Sequence, residues 1–242
     1  MSAVVYEGHK TKHGYPESYQ PPSIAEQAAI LKQFFPNLDV EGLEKYSAIY
    51  PRRLAIAELN ADGVSVIPKW YKLCSQAPSY QAVVVLVLEA LSRCYHGRFT
   101  NAVFGPVEYG SILMETKEKA GACKYLNSLN VLSDTLVLPT QLGARWVGVS
   151  INDARKNIEK YEDEFPLGLY EVGILLLTHQ NRFQNDTDLK IDCAGDCYQY
   201  SKDHQYPYAP CFSYERGKLT VGTRIQSYAN PAYGTATAFA MP

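Results

Sequence analysis

The chain has 242 residues, 46% of them hydrophobic and 20% charged, with 23 Lys and Arg against 25 Asp and Glu. That balance belongs to a globular chain, and this length can bury a core without disulfide staples. A formal net charge of -2 excludes a whole-protein field that would draw in nucleic acid or an anionic membrane.

The first 22 residues carry Tyr6, Tyr15, Tyr19, Pro16, Pro21 and Pro22 without apolar periodicity and without the apolar core of a secretory signal. Polarity and proline favour disorder, but the aromatic side chains offer anchors, so an ordered, extended arm over 1–22 is expected. Ser23, followed three residues on by Glu26, forms a capping box. Ile24, Ala28, Leu31 and Phe35 then share one helical stripe until Pro36. Asp39 predicts a second short helix through Val40, Leu43, Tyr46 and Ala48, stopped by Pro51. The two helices would form a sub-unit over 23–50 of a single domain spanning 23–242.

Leu54 and Ile56, then Val64-Ser65-Val66-Ile67, flank the turn signal Asn60-Ala61-Asp62-Gly63, which predicts two short strands. Ser79 opens a helix through Val83, Val84, Val87, Leu88 and Leu91. Its apolar run over 82–88 is closed by Glu89, far short of the roughly 18 residues of a membrane span. The valines make a strand over 82–88 the competing reading. Residues 111–126 read as an amphipathic helix charged at Glu115, Lys117, Glu118, Lys119 and Lys124. Residues 135–138 are strand-like and closed by Pro139, and 146–149 suggest another short strand. Ser150 with Asp153 starts a further helix, and 169–177 form a mostly buried one ending near Thr178 and His179.

Beyond residue 180 the texture changes, with tyrosines at 198, 200, 206, 208, 214, 228 and 233 among glycine and proline. Phe212-Ser213-Tyr214, a turn at 215–218 and the run 219–224 read as a hairpin. No charged residue occurs from 225 to 242, so that tail either packs into the domain or makes a contact. The expected fold is α+β: a mainly helical first two-thirds with short strands, and a small antiparallel sheet in the C-terminal third.

The segments VIPKW (66–70), LTHQNRF (177–183), IDCAGD (191–196) and YGTATAF (233–239) are similar to segments of an uncharacterised bacterial protein family. That family has no assigned activity, so the resemblance transfers no catalytic residue; it implies a bacterial, cytoplasmic setting.

The six cysteines, at 74, 94, 123, 193, 197 and 211, are expected to be reduced in a cytoplasmic chain. Cys193 and Cys197, with His204 and Cys211 downstream, provide three sulfurs and an imidazole, the donor set of a zinc site. Only one closely spaced cysteine pair is present, so no metal and no cofactor is expected, with zinc on these four residues as the alternative. The run Asn185-Asp186-Thr187-Asp188-Leu189-Lys190 has Lys190 where a calcium loop places an oxygen ligand, and reads as a solvated acidic loop. A thiol nucleophile would need Cys193 or Cys197 beside His179 or His204, which spacing alone does not bring together. Ser150 lacks the second glycine of a nucleophile elbow, and no P-loop, dinucleotide fingerprint or HExxH occurs.

A more diffuse polar set is His96, Arg98 and Asn101, together with Gln141 and Arg145, all placed just after predicted buried elements. His96 with Arg98 has the chemistry of an anion site, while the simpler reading makes His96-Gly97 a helix end with Arg98 on its dipole. In the C-terminal segment, Asp192 and Asp196 are the stronger candidates than the cysteines around them. Two functions follow. The first is a structural or protein-interaction protein that uses the arm and the uncharged, tyrosine-rich C-terminal region for a protein partner or self-association. The alternative is a small-molecule binder or enzyme with a pocket shared by the His96/Arg98 loop and the 192–196 segment.

Overall fold

The capping box forms as the sequence dictates. In the computed structural model, helix α1 (Ile24–Phe34) begins where Ser23 Oγ accepts from the Glu26 N–H at 3.3 Å and Glu26 Oε2 accepts from the Ser23 N–H at 2.7 Å. The structure describes residues 12–43, 45–46, 60–73, 79–103, 112–129, 133–200 and 206–240. The predicted strand at Leu54 and Ile56, Ala48 of the second helix, Cys74 and His204 lie outside them; of that helix's described residues, 41–43 form a turn and only 45–46 are helical.

Strand β1 (Gly63–Pro68) leads to a single turn, α2 (Trp70–Leu73), and then to α3 (Tyr80–Cys94), capped by Ser79 as expected. Strands β2 (Phe99–Asn101) and β3 (Ile112–Glu115) precede α4 (Lys117–Leu129). The long strand β4 (Thr135–Val147) is followed by α5 (Ile151–Ile158), β5 (Glu164–Pro166) and α6 (Leu169–Thr178). Strands β6 (Lys190–Asp192) and β7 (Asp196–Gln199) precede the predicted hairpin of β8 (Tyr208–Glu215) and β9 (Lys218–Ile225), and β10 (Tyr233–Phe239) closes the chain.

The sheet corrects the expected architecture. Among the described residues it is one ten-stranded mixed sheet in the order β1-β4-β10-β6-β8-β7-β3, with β9 on β8 and β2, and β5 on β10. Helix at 32% and strand at 30% are nearly equal, and strands run through the C-terminal two-thirds, so neither a mainly helical body nor a small antiparallel sheet is present. It is mixed because β10 runs parallel to β6, and β2 parallel to β9.

Three local readings change with it. The helix expected from 111 starts at Lys117, because 112–115 pair with β7 as β3. Pro139 does not close a strand, and 146–147 belong to the same β4. The ladder from β4 to β10 has its last pair at Ala238↔Thr140, so Pro139 sits where no N–H is required on that side. Within the uncharged tail, residues 234–239 of β10 are buried between β4 and β6, which accounts for their lack of charge, whereas Ile225 and Tyr228 are exposed.

Alternation along β10 defines two faces. Ala236 and Ala238 join the main core with Val83, Val84, Val87 and Leu91 of α3 and with α6, buried at all ten positions. Gly173 lets those helices meet closely, since a Cβ there would stand 2.8 Å from Val87 Cγ1. Thr235 and Thr237 take the other face. There Thr237 Oγ1 donates to Glu164 Oε1 at 2.7 Å beside the Trp146 indole, which packs on Ala154 and Ile158 of α5.

Residues 12–22, the described part of the arm, pack against the domain. Leu189 N donates to Gly14 O at 2.7 Å, and the Tyr15 hydroxyl donates to Asp62 Oδ2 at 2.7 Å, beneath the buried Arg182 guanidinium 4.0 Å from the Tyr15 ring. That portion of the arm is therefore held by its own domain.

Candidate functional site

Three buried side chains and one at the margin meet around the buried Lys119 ammonium. It lies 2.8 Å from Glu171 Oε2, 3.0 Å from Asp196 Oδ1 and 3.4 Å from Glu115 Oε1, and it donates to the Tyr80 hydroxyl. Asp196 Oδ2 accepts from the Tyr80 hydroxyl at 2.8 Å and from Leu169 N at 2.7 Å, at the N-terminus of α6. Glu171 completes that terminus by accepting from Gly168 N at 2.9 Å. Burial alone would lower the Lys119 pKa, but Asp196, Glu171 and Glu115 outweigh it and hold the ammonium charged, well above its usual range. Burial raises Glu171, with Lys119 opposing, and burial followed by Asp196 raises the Tyr80 phenol. With Lys119 and Asp196 both at 0% exposure, the group forms a buried ionic lock joining α3, α4, α6 and β7.

The outward side of α4 forms one bank of an open groove of about 640 Å³. Lys117, Glu118, Gly121, Ala122 and Tyr125 stand on that bank; Arg155, Ile158, Glu159, Glu162 and Asp163 form the other, and Phe165, Pro166 and Ala240 lie between. Arg155 is fully engaged, with Nε on Ala194 O at 2.7 Å, Nη1 on Gln226 Oε1 at 2.8 Å and Nη2 on Asp196 O at 2.9 Å. The same helix therefore presents Lys119 inward to the lock and its opposite side to the groove. Sequence reading found the amphipathic charge pattern of α4, Lys119 included, but not its burial, because Glu171 and Asp196 lie 52 and 77 residues away.

The residues expected to form a polar pocket are not brought together as one. His96 and Gly97 take φ of 46° and 78°, and with Arg98 they are exposed at the end of α3, in agreement with the helix-end reading. Asn101 is exposed and its Oδ1 accepts from Val103 N at 3.0 Å. Gln141 is buried, donating to Thr235 O and Thr237 Oγ1 and accepting from Gly143 N. Arg145 pairs with Glu164 at 3.1 Å and lies 4.9 Å from the Tyr161 ring centroid. Asp196 is in the lock. Asp192 is fully buried, with Arg224 Nη1 at 2.6 Å, and that guanidinium lies 3.9 Å from the Tyr233 ring centroid.

Cys193 and Cys211 are buried, and burial pushes both thiols well above their usual range. Cys197 pairs with Met114 across β7 and β3. Among the described residues no group of three or more His, Cys, Asp or Glu side chains is placed to hold a metal ion. Beside the C-terminal hairpin, Tyr200, just after β7, contacts Tyr198 of β7 and Tyr208 of β8 edge-to-face at 5.0 Å each, and Ile225, opposite Tyr208, is 51% exposed. No helix among the described residues is long and apolar enough to cross a membrane.

Asp192 supplies a pH prediction. Burial, opposed by Arg224, raises its pKa from 3.8 to about 6. The folded state then holds a proton that the unfolded chain has released, so this group's contribution to stability falls as pH rises from about 4 to about 6, by roughly 3 kcal/mol in all. A carboxyl-carbon NMR titration should place the Asp192 midpoint near 6; a midpoint at the ordinary aspartate value would refute the assignment.

Comparison with family models, curated proteins and solved structures found no match. The functional reading therefore rests on this geometry.

Proposed function

We propose that the protein is a non-enzymatic interaction protein that receives a protein partner in the groove between α4 and α5. The observation that carries this reading is the pairing of an open, largely apolar recess with a wall fixed from behind by the Lys119 lock. A groove of about 640 Å³ has the dimensions of a binding site. Asp192 and Asp196 are fully buried and paired with Arg224 and Lys119, which favours a structural role for them over chemistry. The exposed Tyr200 and Ile225 surface extends the reading to a second contact face where the end of β7 meets the C-terminal hairpin. A bacterial cytoplasmic setting suits reduced, buried thiols.

The test is an amide NMR titration with short amphipathic peptides of differing charge. Binding should move resonances of Gly121, Ala122 and Ile158, and Ala122→Tyr, which fills the groove, should abolish those shifts. Peptides that bind with equal affinity to the wild type and Ala122→Tyr, leaving the groove resonances unmoved, would sink the reading.

A further inference from the structure

We propose that the segment received by the groove is an amphipathic one bearing lysine or arginine on one side and apolar side chains on the other. This rests on the docking reading above and names the partner's chemistry. The two banks carry exposed carboxylates that face a shared space: Glu118 on α4, and Glu159, Glu162 and Asp163 after α5. Of the two cations on the banks, Arg155 is held by two backbone carbonyls and Gln226, so its donors are directed into the fold and away from a ligand. Lys117 and Arg155, whose charge its neutral partners leave intact, stand against four exposed acids, so the groove lining still carries an acidic excess. Low-dielectric walls concentrate such a field, which attracts cationic groups and repels nucleic acid.

Charge alone does not describe the site. Between the acidic banks lie Ala122, Ile158, Phe165 and Ala240, a surface that a hydrated cation or a linear polyamine leaves unsatisfied. An amphipathic segment satisfies both parts, placing apolar side chains along the base and basic ones beside the rim. The rim interactions, being exposed, act mainly through encounter and salt dependence, and the apolar base sets residence.

The experiment measures fluorescence anisotropy of a labelled peptide alternating Lys and Leu, with a Gln/Leu isostere and spermidine as comparisons. The expected result is binding that weakens about ten-fold or more with Glu159→Lys/Glu162→Lys, with Gln for Lys in the peptide, and in high salt. Glu17→Lys/Glu41→Lys makes the same change in net charge away from the groove and should leave binding unchanged. All four substituted residues are exposed, so folding is preserved, and circular dichroism checks it. If the Gln/Leu isostere binds as tightly, and Ala122→Tyr blocks it, the docking reading stands and the basic partner is wrong. Spermidine binding as tightly as the peptide would overturn the amphipathic requirement. Binding that Ala122→Tyr leaves intact would overturn the docking reading itself.

Discussion

Lys119→Met should destabilise the fold by about 3–5 kcal/mol, among the largest effects of any single substitution in this chain. The substitution keeps the length and apolar stem of the side chain and removes only the charge. Glu171, Asp196 and Glu115 would then face one another without the ammonium now 2.8 to 3.4 Å away. The penalty should depend on pH. Without the cation, the buried carboxyls retain protons to higher pH than in the unfolded chain, so the variant loses further stability as pH rises and recovers part of it in mild acid. Urea denaturation at two pH values reads both effects, with the exposed Lys124→Met as the control. A loss below about 1 kcal/mol would mean that the lock is not an energetic centre of the fold.

Gly195→Ala should cost about 3 kcal/mol, the upper end for overpacking, because every near neighbour is backbone. A Cβ at this position would stand 2.6 Å from Pro166 O and 2.7 Å from Gly168 N. The turn cannot back away, since Gly195 N donates to Leu167 O and Gly195 O accepts from Thr116 N, both at 2.8 Å. One residue thus ties the approach to α6 to the start of α4. Gly121→Ala is the contrast: it is helical, has nothing within 4 Å of its Cβ, and should stabilise α4 by about 0.5–1 kcal/mol. Thermal unfolding of the two variants checks the opposite signs, and equal small shifts would contradict the packing account.

Local signals in the sequence were legible wherever a cap or a stripe carries them. Ser23, Ser79 and Ser150 mark true helix starts, 169–177 is the buried helix, and the 212–224 hairpin forms. The sheet was not legible, for two physical reasons. Residues 135–143 of β4 are buried on both faces, so they show no alternation of period two. Strand β10 carries only Gly, Thr and Ala between Tyr233 and Phe239, without the alternation of large apolar and polar residues that marks a strand, and it pairs with neighbours on either side. The site shows the same division. Glu115 and Lys119 are four apart and visible as a pair, whereas Glu171 and Asp196 meet Lys119 only through tertiary structure. Asp196 was singled out from sequence, but as a polar site residue; its role as an anchor depends on Tyr80 and Leu169, 116 and 27 residues away.

The central claim is that a buried charge cluster holds the helix that walls the groove. Amide hydrogen exchange across 117–129, referenced to β10, tests it most directly. In the wild type, α4 should be protected nearly as well as β10, although much of its surface is exposed, because Lys119 fixes it to α3, α6 and β7. In Lys119→Met, exchange over 117–129 should accelerate beyond the global loss read at β10, with α6 following β10. If α4 keeps the same protection relative to β10 in the variant as in the wild type, the lock does not hold the groove wall.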